Sequence, residues 1–131
     1  MRKTMLFAVA AIMLMVTNVS AGNHSENVDL FENSTLLEMA EINSFCKAIV
    51  RGDIDTVKKL IELGEDVNQK SLGMTPAIFA ARYNKVEILE LLIENGANLK
   101  IKSDKGYSIK KYAELSNAKE AMAVIEVAMG S

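Results

Sequence analysis

The sequence predicts an all-α chain: a short solenoid of two to three helix-turn-helix repeats with capping ends. Two observations carry this expectation. Residues 71–99 hold one complete helix pair with its start and stop signals in place. The same signals recur on both sides at one period. At a shift of about 32 residues, Leu60-Ile61-Glu62-Leu63-Gly64 lies over Leu92-Ile93-Glu94-Asn95-Gly96, and Ala48 over Ala80. At about 33 residues forward, Gly106-Tyr107-Ser108 lies over Gly73-Met74-Thr75, and Ala113 over Ala80.

Residues 1–21 stand outside this pattern. Arg2 and Lys3 precede an unbroken apolar run over 5–16, and Val19-Ser20-Ala21 ends the stretch with small residues suited to a signal peptidase. This is the three-part pattern of a secretory signal peptide, with cleavage expected after Ala21. The run falls short of the roughly 20 apolar residues a spanning helix needs, which disfavours the rival reading of a retained membrane anchor. The expected location is therefore periplasmic or secreted. Residues 22–33 are polar and read as a flexible N-terminus. Two sequons, Asn23-His24-Ser25 and Asn33-Ser34-Thr35, matter only if the source is eukaryotic. The repeat domain is expected over 34–131. Thr35-Leu-Leu-Glu38 has capping-box spacing, so 36–42 is read as a short leading helix shielding the first repeat.

The first repeat is expected over about 43–70. Asn43 or Ser44 caps a helix carrying Phe45, Ala48 and Ile49, and Arg51-Gly52-Asp53 makes the inter-helix turn. An Arg-Gly-Asp triplet can be an adhesive ligand, but here its glycine falls on the repeat's own turn position. Ile54, Val57, Leu60 and Ile61 form the second helix's core stripe. Lys47 stands where the next unit has Phe79, which suits the outer face of a terminal repeat. The second repeat, about 71–102, opens with Thr75 as N-cap and Pro76 at the first helical position, where its missing N–H costs nothing. Ala80 and Ala81 allow close helix approach. After the break at Tyr83-Asn84-Lys85, Val86, Leu89, Leu92 and Ile93 are expected on one face, flanked by Ile88 and Leu91. Gly64 and Gly96 are expected to stop their helices at positive φ. The third repeat, about 103–128, departs from the pattern: Ser108-Ile109 replaces Thr-Pro, and Lys110 takes a position where an apolar residue is common. Tyr112, Ala113, Met122, Val124 and Ile125 are expected to pack inward, and the wet remainder suits a C-terminal cap.

These residues resemble the ankyrin family. The match is Gly73-Met-Thr75-Pro76 opening a unit, Ala80-Ala81 inside its first helix, and Leu91-Leu92-Ile93-Glu-Asn-Gly96-Ala97-Asn98 closing it, with Gly64-Glu-Asp66-Val67-Asn68 closing the unit before. The resemblance covers residues 43–128.

Several function classes are disfavoured. Without the two basic residues of 1–21, 13 Lys+Arg face 17 Asp+Glu, a formal charge of −4 with no basic field for nucleic acid. The single histidine, His24, lies in the tail, so the predicted domain holds no Ser/His/Asp or Cys/His set and no His-based metal site. Its glycines are spaced as turns, not as a phosphate loop. Asp53 and Asp55 flank a helix start, where acids favour the dipole, and Glu87, Glu90 and Glu94 read as a solvated face. Cys46 allows no internal disulfide; a buried inert thiol and a reactive one are the two readings. The expectation is a monomeric, non-catalytic protein without cofactor or metal. An enzyme remains the reading from another class.

What the resemblance implies is a binding module. Such stacks hold partner proteins on the concave side, at the loop tips before each first helix and the exposed positions on it. Carried over to this chain, those positions are Val50 and Arg51 in the first unit, Leu72, Met74, Arg82 and Tyr83 in the second, and Asp104, Lys105, Tyr107, Leu115 and Ser116 in the third. Tyrosine and arginine suit an interface, and Leu72 and Met74 add apolar area. The expected function is an adaptor or accessory factor for a partner protein outside the cytoplasm; the alternative is a stoichiometric inhibitor or protector of an enzyme there.

Overall fold

A computed structural model of the chain describes Leu37 and residues 40–130. The expected signal peptide and polar N-terminus, and Thr35, Leu36, Glu38 and Met39 of the expected capping box and leading helix, lie outside the described residues; Leu37, Ala40 and Glu41 are helical. Glu41–Ser131 is one compact unit and is described by itself.

Three helix pairs follow one another among the described residues: α1 (Ser44–Arg51) with α2 (Ile54–Glu62), α3 (Pro76–Arg82) with α4 (Val86–Glu94), and α5 (Ile109–Leu115) with α6 (Lys119–Met129). The first helices form one row, α1 on α3 on α5, and the second helices form another, α2 on α4 on α6. Each first helix starts on a side-chain cap. Asn43 accepts from the Cys46 N–H, Thr75 from Ile78 and Ser108 from Lys111. Of the two candidates at the first helix, Asn43 is the cap.

Ala80 and Ala81 are fully buried between flanking first helices, and Phe45, Ile49, Ile78, Phe79, Ile109 and Tyr112 continue one apolar row across all three repeats. The deep stripe of α4 is Ile88, Leu89 and Leu92; Val86 and Ile93, expected on that face, are half-buried. In α2, Val57 alone is deeply buried, and Ile54, Leu60 and Ile61 are partly open. The reason is position, since a terminal second helix has a neighbour on one side where α4 has two. Met122 and Val124 are half-buried on α6 for the same reason. The last helix runs one residue past the expected repeat end, to Met129. Gly64 and Gly96 take φ of 99° and 92°, as their helix-stop role requires.

Between pairs the chain makes tight turns. Ser71 and Met74 exchange both backbone hydrogen bonds, 2.9 and 3.1 Å, around Leu72 and Gly73. Both central residues have positive φ, 49° and 74°, the geometry of a two-residue type I′ turn. The third repeat's turn closes by Ser103 N–H to Tyr107 O and Gly106 N–H to Ser103 O.

Candidate protein-binding site

The turns and the first-helix ends hold the predicted binding residues. Arg82, in the last turn of α3, donates from Nη1 toward Met74 Sδ at 3.8 Å, a long and weak contact. Its guanidinium carbon also lies 5.6 Å from the Tyr83 ring centroid, within cation–π reach. One arginine thus links the turn to the helix end. Leu72, on the same turn as Met74, is 44% exposed and Tyr83 39%. These four residues of the second repeat are the part of the prediction that the structure brings together.

The third-repeat residues sit differently. Asp104 donates its N–H to Gly73 O at 2.9 Å, and its carboxylate pairs with Lys70 at 2.9 Å, so it ties neighbouring turns together. Tyr107 meets the buried Tyr112 ring edge-on, with centroids 5.8 Å apart. The Ser103 hydroxyl accepts from Tyr107 N–H and from Tyr112 O–H. Tyr107, expected at the binding face, is 43% exposed and also packs against the core through Tyr112. Lys105, Leu115 and Ser116 are exposed on turn and helix end; in the first repeat Arg51 is exposed and Val50 half-buried.

The residues missed by sequence reasoning are polar ones that join repeats. Asn84, at φ 54°, caps α6 from the preceding repeat: its Oδ1 accepts from Ala121 N–H at 3.0 Å and its Nδ2 donates to Glu120 at 2.9 Å. That hydrogen bond holds the Glu120 carboxyl below its usual pKa. Asn68 ties the first repeat to the second: its Oδ1 accepts from Asn98 N–H and its Nδ2 donates to Gly96 O. Ser71 Oγ accepts from Asn43 N–H. A signal was available: Asn84 recurs as Asn117 and Ser71 as Ser103 at repeat spacing.

Chemistry is sparse. The Cys46 thiol is wholly buried, and burial, then the Glu65 charge, pushes its pKa up to about 12, so it holds its proton and is a poor nucleophile. Thr56 holds the exposed Asp53 carboxyl low by side-chain and then backbone hydrogen bonds, as an N-cap. Among the described residues, no three His, Cys, Asp or Glu side chains converge as metal ligands, and no helix is long and apolar enough to cross a membrane.

Stacked helix pairs with exposed aromatic, basic and apolar side chains on their turns define a repeat scaffold of the binding class. Known sequences agree. The family model described as ankyrin repeats (3 copies) matches residues 15–103 and 45–125. Similar proteins include ankyrin repeat and SOCS box protein 11 of Pongo abelii, 39% identical over 56% of this chain and 23% of the relative. Ankyrin repeat, SAM and basic leucine zipper domain-containing protein 1 of Neofelis nebulosa is 35% identical over 53% of this chain and 15% of its own length. Dauer abnormal formation protein 25 of Caenorhabditis elegans is 35% identical over 60% and 21%. The chain thus spans under a quarter of the length of these relatives. It belongs to the ankyrin-repeat family, whose repeats are protein–protein interaction modules.

Proposed function

We propose that the chain is an adaptor or accessory factor that binds one partner protein outside the cytoplasm through Leu72, Met74, Arg82 and Tyr83. Leu72 carries the proposal. A left-handed backbone costs a non-glycine residue about 1–2 kcal/mol, and asparagine or glycine fills such turns more readily. Here the turn holds a leucine at φ 49° that is outside the buried core and 44% exposed. The turn geometry gains nothing from leucine, and a bound partner would cover its open side. Arg82 and Tyr83, linked to the same turn through Met74, are the residue types that most often dominate interface energies.

Leu72→Asn separates binding from folding. The variant is expected to be more stable than the parent by ~0.5–1 kcal/mol in urea, because asparagine tolerates this conformation. It is expected to lose capture of the native partner by tenfold or more. Tyr83→Ala should lose capture likewise, with stability changed by about 0.5 kcal/mol or less. If Leu72→Asn captures the partner as well as the parent, the patch is not the interface.

The location rests on the leader pattern in residues 1–21. Intact mass of the exported protein should begin at Gly22; full-length chain in the membrane fraction would overturn that reading. An adaptor should leave its partner's activity unchanged at one-to-one stoichiometry.

A further inference from the structure

The second helices carry a feature that the turn-side patch does not use. α4 and α6 pack side by side, and a groove of about 500 Å³, open to solvent, runs between them. Ile93, Val124 and Val127 supply its larger apolar side chains, and each polar residue lining it is a glutamate, Glu90 or Glu94. The two glutamates stand one turn apart on α4, so they share a face. Val127 is 83% exposed. By repeat spacing it takes the position that Glu94 holds in the preceding unit, so a solvated acidic position has become apolar at the groove's edge.

We propose that this groove docks a basic amphipathic helix of a partner protein. Apolar side chains at i and i+3 or i+4 of that helix enter between α4 and α6, and its flanking Lys or Arg side chains pair with Glu90 and Glu94. Charge selects this occupant. A second copy docked through the same face would bring four carboxylates together, and an anionic membrane surface would be repelled. An open groove covers one side of a helix, whereas a small ligand needs most of its surface enclosed. The proposal is independent of the turn-side patch.

The test uses the full exported chain and a synthetic helix of about four turns, with Leu and Lys at amphipathic spacing, against its Leu/Glu counterpart and a scrambled Leu/Lys peptide. Fluorescence anisotropy is expected to show Leu/Lys binding that weakens at least tenfold with Val127→Asn and with the double variant Glu90→Lys, Glu94→Lys. The double variant should take up the Leu/Glu peptide instead, while Tyr83→Ala binds like the parent. All of these positions are exposed, and far-UV circular dichroism checks that each variant is folded. Undiminished Leu/Lys binding by the double variant, or equal binding of the scrambled peptide, would overturn the proposal. So would a dimer in sedimentation that Val127→Asn dissociates, which would assign the groove to a second copy, or binding to anionic vesicles that Val127→Asn abolishes, which would assign it to a membrane surface.

Discussion

Cys46 lies against Phe45 and Ile49 with no surface in water. Its thiol has an ordinary pKa of 9.0 in the unfolded chain and about 12 in the folded one. The folded state therefore holds the proton more tightly. Stability from this group is complete below pH 9.0 and is lost as pH rises toward 12, at about 1.4 kcal/mol per pH unit across that window. Urea melts of the parent and Cys46→Ala between those pH values should converge as pH rises, because the variant lacks this titration. Parallel curves would show that the thiol is not buried in solution. In one dimension Cys46 could be a buried inert thiol or a reactive one, and its complete burial decides for the first. The roles of Asp104 and Tyr107 were not legible in the sequence. Both look like free surface residues in one dimension, and their partners Lys70 and Tyr112 are set by how turns stack.

The helix pairs show the same division between local and neighbour-made features. Helix starts at Asn43, Thr75 and Ser108 could be read because a cap is a local bond. The burial of α4 was shifted from the expected stripe because two flanking helices, α2 and α6, decide which face is deep. The cap on α6 escaped notice because its side chain, Asn84, belongs to the preceding repeat. Gly52 occupies the equivalent position one repeat earlier, at φ 75°, and α4 has no side-chain cap. Gly52→Asn should supply one. Asparagine tolerates the left-handed conformation, and its Cβ would meet the flexible Lys85 side chain at 3.4 Å, a contact that can give. The expected gain is ~0.5–1 kcal/mol in urea, with slowed amide exchange at the start of α4. A loss of stability would mean that Lys85 cannot yield.

Across the whole compact unit, one apolar row joins Phe45 in the first repeat to Tyr112 in the third through Ala80 and Ala81. A nearest-neighbour array this short should unfold in one step, since no single repeat covers its own apolar face. Cys46 reports on the first repeat and buried Tyr112 on the third, so thiol labelling and tyrosine fluorescence should give coincident urea midpoints. Earlier labelling of Cys46 would show that the first repeat opens alone. The repeat architecture was visible in the sequence because period and punctuation survive in one dimension; the groove between α4 and α6 was not, because it exists only where two stripes meet. Asn117 has the backbone of Asn84, φ 55° against 54°, at the end of α5. A gene that duplicated the codons for residues 85–117 in register would therefore keep this polar junction: Asn84 would cap the copied second helix, and the original Asn117 would cap α6. The cost of such a whole-unit insertion would fall elsewhere, on Lys110, which would then stand inside the stack instead of at its wet end.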